Sequence, residues 1–318
     1  MSQWGIIVTF LQQFQWWRER CKKYPPNEIH RAGELSELRL EKLSRAAGKA
    51  NGWHVFASVR IPDPVDGGRR EIDLVIVGGN TLLVVEQKHW AGRFDINSDQ
   101  EFVQYRNNGS EHNHSTVAER IARKARMLNE IHHRRIKQKQ ADSVEVRVIV
   151  SMTHQKLEWP KIPKTFKQEM VNEADFIKIL ESTVPGELNE DLLQTVEGFS
   201  TWDEIELHGG LTLKGDLIQL GLGSEIDDWF KLREGDLNVQ TTHRRSLFSI
   251  FNKRPSKVKL SHGTKNIEAT LAKDLHLEMH VVGEKERRLV NWANVNKVFA
   301  SRPPAEWGEK PISKLDKV

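Results

Sequence analysis

Cysteine is almost missing from this sequence: Cys21 is the only one in 318 residues. A lone cysteine excludes an internal disulfide, a thiolate zinc site and a paired-cysteine redox centre. It points to a reducing compartment, so the chain is expected to be cytoplasmic. Long apolar runs are missing too. The longest near the start, Gly5 to Leu11, stops at Gln12 and Gln13. A membrane-spanning helix needs about 20 apolar residues. No basic start with a small-residue cleavage site marks a secretory signal. Repeats and low-complexity segments are absent, and charge of one sign is scarce. The 48 basic and 44 acidic residues leave only +4. Any preference for a charged partner must then come from where the charge sits.

What is present divides into segments. The length suits about two domains. Trp4 to Trp17 carries three tryptophans at helical spacing, which suits docking on the protein's own core or contact with a partner or membrane. Tyr24, Pro25, Pro26 and Asn27 end that helix. A helical pattern follows from Glu28 to about Ala50, then strands at Trp53 to Ile61, Glu71 to Val77 and Thr81 to Lys88. Arg93 to Gln104 adds a strand and a turn, Ser115 to about Lys139 a long helix, and Val144 to Ser151 a valine-rich strand. Helices are expected at Ala174 to Ser182 and Asn189 to Thr195. After Trp202, short strands with glycine breaks predict a small barrel or sandwich. The expected organisation is an N-terminal helix (1–27), an α/β domain with a mixed sheet (28–151), a helical connection (152–200) and a β-rich domain (201–318).

The chemistry lies in the second and third strands. A two-residue turn at Gly79 and Asn80 has glycine first, as type II′ geometry demands. Gly78 then faces Thr81, and the same register places Asp73 directly opposite Glu86 on one face of the hairpin. Lys88, two residues on, shares that face. The neighbours Ile72, Leu74 to Val77 and Leu82 to Val85 are apolar, so both strands read as buried on both faces. Two adjacent carboxylates raise one pKa. A hard divalent cation relieves that repulsion. The bland alternative is an ion pair of Asp73 with Lys88 at a strand end. In the preceding helix, Glu34, Glu37 and Glu41 lie on one side, beside an apolar arc of Leu35, Leu38, Leu43 and Ala46. Glu34 borders that arc, where it can lean toward the acidic face.

Gly33 and Glu34, then Arg70 to Val77, then Val85 to Gly92 resemble the nuclease-related domain (NERD) family, a branch of the PD-(D/E)XK nucleases. The resemblance covers roughly residues 28–150. It implies a restriction-endonuclease-like mixed sheet flanked by helices, followed here by the barrel-like C-terminal domain. It also implies Asp73, Glu86 and the backbone carbonyl of Gln87 as metal ligands, Lys88 as the group positioning the attacking water, and Glu34 as the acidic residue of the first helix. The implied cofactor is Mg²⁺, with Mn²⁺ possible, and the implied activity is phosphodiester hydrolysis in DNA, for repair, restriction or anti-phage defence. The alternative is a non-catalytic module that keeps the fold and binds nucleic acid or a partner. Gln87 stands where the family often has threonine or valine, and His89 where another polar residue is usual. Glu119 replaces a usual glutamine, and the accompanying proline is missing.

The positive charge is concentrated. Residues 105–139 hold nine basic and three acidic residues, a local +6 against +4 for the whole chain. Val117, Ile121, Ala125, Leu128 and Ile131 form one apolar stripe. Arg120, Arg123 and Lys124 are the residues expected to meet phosphates; a merely solvated charged face is the alternative. His112, His114, His132 and His133 lack ordered ligand spacing. Trp53 and Trp90 read as packing residues, and His89 points away from Lys88. In the C-terminal domain, basic residues from Lys214 to Lys259 accompany Phe248, Phe251 and Trp292. These aromatics suit either base stacking or the domain's own core. The N-terminal helix or the C-terminal domain is the expected place for a protein partner or homo-oligomer contact.

Overall fold

The structure, a computed structural model, describes residues 3–26, 28–63, 68–99, 101–106, 108–114, 117–136, 144–159, 169–250 and 255–302. Of residues 3–10, 28–32 and 118 only the backbone is described. Phe251, Lys253, Arg254, Lys137 and Lys139 lie outside the described residues. The chain forms two compact units. One is residues 29–199; the other joins the chain up to 28 with the part from 200 onward. Helix α1 (Gln3–Cys21) belongs to the latter.

The 29–199 unit opens with α2 (Glu28–Lys49), which precedes β1 (His54–Pro62), β2 (Arg69–Gly78) and β3 (Thr81–Lys88). β1 and β3 both pair antiparallel with β2. Next come β4 (Gly92–Ile96), β5 (Phe102–Tyr105), β6 (Glu111–His114), α3 (Val117–Arg135) and β7 (Glu145–Met152). β7 lies parallel to β3, and the crossover between them carries α3. The unit ends with β8 (Leu157–Glu158), β9 (Glu169–Asn172), α4 (Glu173–Ser182) and α5 (Glu190–Glu197). The main sheet is mixed, in the order β1-β2-β3-β7-β9; a smaller sheet has the order β6-β5-β4-β8.

The main sheet is covered on both sides, which is why β2 and β3 read as apolar without alternation. On one side Leu74, Ile76, Leu83 and Val85 pack with Leu40 of α2 and with Phe176 and Leu180 of α4. On the other, Val75, Val77, Leu82 and Val84 pack with Ile121, Ala125 and Leu128 of α3 and with α5. The hairpin ladder pairs Gly78 with Thr81 and Leu74 with Val85, the expected register. Gly79 has φ +54, and Asn80 is not among the positive-φ residues, which matches a glycine-first type II′ turn. Gly78 is required for contact: a Cβ there would lie 2.3 Å from the Trp53 ring. Trp53 itself is buried and donates its indole N–H to the Thr183 carbonyl.

Helix α2 docks through a different face from the expected arc. Ser36, Leu40, Ser44 and Gly48 are buried, whereas Leu35, Leu38, Leu43 and Ala46 are exposed. The reason is closeness. Small residues four apart let the helix backbone settle onto the sheet, and the two serine hydroxyls bond back to the carbonyls of Gly33 and Leu40.

The other unit is built on β10 (Asp203–Leu207), β11 (Thr212–Gln219), α6 (Ser224–Leu232), β12 (Leu237–Thr242), β13 (Ser256–His262), β14 (Lys265–Leu271), β15 (His276–Val281), β16 (Arg288–Asn291) and β17 (Val295–Ala300). These strands form one antiparallel sheet, order β14-β13-β12-β17-β10-β11-β15-β16. Bulges after Glu206 and Leu217 bend it. Side chains from both ends of the sheet, such as Leu271 and Val290, share one core. Trp292 belongs to that core: it is 1% exposed and donates to the Leu220 carbonyl. It offers no stacking platform, because its ring has no free face. Phe248, in contrast, is 83% exposed.

Candidate active site

The site forms where the hairpin ladder stops. The last β2–β3 pair is Leu74 with Val85, and the β1–β2 ladder skips the step between Ala57–Leu74 and Val59–Ile72. The skipped residues are Ser58, which has φ +50, and Asp73. Freed from the ladder, Asp73 replaces a strand carbonyl with its own side chain: its Oδ2 accepts the Gln87 backbone N–H at 2.7 Å. Within a strand the N–H and C=O of one residue point to the same side. The Gln87 carbonyl therefore also faces the gap beside Asp73.

Glu86 follows Val84 on the α3 side of the sheet. Lys88 donates to its Oε1 and Lys124 to its Oε2, each at 2.8 Å. All three side chains are largely shielded, at 13% exposure for Glu86, 20% for Lys88 and 18% for Lys124. Burial, then the neighbouring Glu86, push the Asp73 carboxyl up to about 7. Burial also opposes ionisation of Glu86, but the Lys88 and Lys124 ammoniums outweigh it and hold that group low. The two carboxylates are thus driven apart in proton affinity.

Asp73, Glu86 and Lys88 are neighbours, but Asp73 lies beyond the last ladder pair rather than paired directly opposite Glu86 as expected, and Lys124 joins them. Lys124 is not on the outer surface of α3. It stands in the apolar stripe itself, between Ile121 and Leu128, and this spacing aims it at the sheet. Arg123 is likewise engaged: with Arg70 it clamps Asp63, whose side chain is fully buried, at 2.9 and 2.8 Å. Arg120 is exposed. Glu34 is not brought into the acidic centre. It is exposed and touches none of Asp73, Glu86 or Lys88, because α2 lies on the opposite face of the sheet from Glu86. What α2 does contribute is Ser36, whose hydroxyl accepts from the Gln87 side-chain amide, as does Thr153 after β7. Asp63 and this clamp on Gln87 were not legible; each is a tertiary contact between segments far apart in sequence.

Trp90 packs on Phe94 and Phe102 and stacks on His114, ring centroids 4.0 Å apart. His132 meets Thr195 and His133 the Asn129 carbonyl, so both are structural. Among the described residues no three His, Cys, Asp or Glu side chains gather into a metal cage. A hard cation of the Mg²⁺ type does not need one: one or two carboxylates suffice, with water and phosphate oxygens completing the shell. Asp73 and Glu86 supply the carboxylates, and the Gln87 carbonyl faces the same gap. The raised proton affinity of Asp73 comes first from burial and then from Glu86, and a cation held beside both carboxylates would favour its ionised form. The donor set therefore fits.

Residues 12–152 match the family model of the nuclease-related domain. No curated protein and no solved structure matches the chain. No described helix is long and apolar enough to cross a membrane.

Proposed function

We propose that the nuclease-related domain carried at residues 12–152 hydrolyses phosphodiester bonds, with DNA as the substrate. One observation carries this reading: Asp73, Glu86, Lys88 and Lys124 converge where the strand ladder opens, in a buried sheet otherwise lined with apolar side chains. Asp73, Glu86 and the Gln87 carbonyl would hold a divalent cation, Mg²⁺ or Mn²⁺. When bound, that ion lowers the pKa of a water and offsets charge developing on the phosphate. Asp73 must lose its proton on binding, so affinity for the ion rises with pH up to about 7. Lys88 and Lys124, each bonded to Glu86, would stand beside that ion. Lys88 orients the attacking water through its ammonium N–H donors. Lys124 donates to a non-bridging phosphate oxygen and stabilises the charge that grows there. Arg120, on the same helix, offers a further phosphate contact. Such an activity suits repair, restriction or defence against foreign DNA.

The test is cleavage of single-stranded, double-stranded and branched DNA, and of RNA, with Mg²⁺ or Mn²⁺. Asp73→Ala, Glu86→Ala and Lys88→Ala should each slow cleavage by about 10²-fold or more while the fold persists. Variants that cleave like wild type would remove the site. A second reading has its own observation: both Glu86 oxygens already hold lysine partners. That arrangement suits a module that binds nucleic acid without turnover. Salt-sensitive DNA binding with no cleavage under any divalent ion would select it.

A further inference from the structure

In the unit that holds α1 and the C-terminal strands, two arginines are packed together without an acid. Arg20 is 2% exposed. Among the described residues its Nη2 reaches the Ser249 hydroxyl, at 3.4 Å, and its Nε has no hydrogen-bond partner. Its guanidinium sits 4.7 Å from the centre of the Trp16 ring. Arg245 donates to the Arg20 carbonyl at 2.7 Å and to Asn296 Oδ1 at 2.9 Å. Neither arginine meets a carboxylate among the described residues. Burial lowers the pKa of both, and their mutual repulsion lowers that of Arg20 further. Nearby His243 is held neutral between Ser256 and the Val295 carbonyl, with a pKa brought down to about 4 by burial and by Arg245. Positive charge is therefore stored here uncompensated, an arrangement that folding alone disfavours.

This charge backs onto an open groove of about 1040 Å³. Trp16, which covers Arg20, lines it. So do Trp17 and Cys21, which both donate to the Arg245 carbonyl, at 3.0 and 3.4 Å. Arg18, Lys22 and Lys273 add three cations to the lining; Glu19 and Asp274 return two negative charges. The lining alone is only weakly positive. Buried Arg20 and half-buried Arg245 behind it make the groove attractive to an anion. The Trp16 indole N–H is also buried, with no hydrogen-bond partner among the described residues. Indole rings beside concentrated cationic charge match a ligand that joins a flat base to a phosphate. We propose that this groove binds a nucleoside phosphate, free or as one unit of a nucleic-acid strand. The groove belongs to a different unit from Asp73 and Glu86 and does not depend on hydrolysis there.

The single cysteine provides the readout, because Cys21 lines the groove. The full chain, kept in chelator, is alkylated at Cys21 alone and with adenosine monophosphate, inorganic phosphate or a short single-stranded oligonucleotide. Adenosine monophosphate or the oligonucleotide at about ten times its Kd should slow alkylation about tenfold and raise Tm. Protection by the nucleotide assigns a free ligand; protection by the oligonucleotide alone assigns a strand. Arg20→Met should abolish protection and raise the Tm of the ligand-free protein, since it removes an unpaired buried charge. Exposed Arg18→Ala with Lys22→Ala should weaken protection without moving Tm. Asp73→Ala should protect like wild type, whatever its effect on cleavage. The proposal fails if neither nucleotide nor oligonucleotide protects, including if phosphate alone does, or if Arg20→Met lowers Tm and leaves protection intact.

Discussion

Asp73 is the residue on which the nuclease-like unit depends in two opposed ways. Its carboxylate is wanted for a cation, yet its surroundings resist its ionisation. Its folded pKa, about 7, lies above the ordinary 3.8. The stability this group contributes is full below the ordinary value and is lost as pH rises through about 7. Without a divalent ion, the unit should therefore be less stable at pH 8 than at pH 5. Asp73→Asn keeps an oxygen for the Gln87 N–H and cannot ionise. In chelator, this variant should melt several degrees above wild type at pH 8 and by a clearly smaller margin at pH 5. Mg²⁺ should raise the wild-type Tm at pH 8 and leave that of the variant nearly unchanged. A variant that melts below wild type at pH 8 would mean that the aspartate is not a strained, buried acid.

At the scale of elements, α2 shows where periodicity misleads. Its leucines mark one face, but its buried stripe is mostly small: Ser36, Ser44 and Gly48 around a single large anchor, Leu40. Leu40→Ala should cost about 3 kcal/mol in denaturant unfolding, whereas Leu38→Ala, at 45% exposure, should cost well under 1 kcal/mol. Equal losses would overturn the assignment of faces. The hairpin was legible because one turn fixes register, and register fixes which side chains share a face. The apolar runs of β2 and β3 identified a doubly covered sheet for the same local reason. β6 was not legible: Glu-His-Asn-His has no apolar pattern, and its pairing with β5 is the only reason it is a strand. Lys124 was readable as part of a charged helix but misplaced, although its seat among Ile121, Leu128 and Ile131 carried the signal. The Ser58–Asp73 gap leaves no trace in composition or periodicity, since it arises only when three strands meet.

At the scale of the molecule, the two clusters flanking the main sheet share no member with the core of the other unit, which implies two separable equilibria. Calorimetry of the full chain should resolve two transitions. Divalent ion should move only the one belonging to Asp73; nucleoside phosphate should move only the one belonging to Arg20. One ligand moving both would show that the units unfold together. The eight-stranded sheet adds a consequence of its own. Its end strands, β14 and β16, leave one row of backbone donors and acceptors each without a ladder among the described residues. Such rows invite other chains to add on. Lys265, Glu268, Arg287 and Arg288 stand along or beside these two strands, and Gly263 and Gly283 turn the chain sharply at φ +54 and +81 near their ends. Bringing a second edge alongside would desolvate those charges. The charges at the borders of the sheet therefore oppose the addition of a further strand.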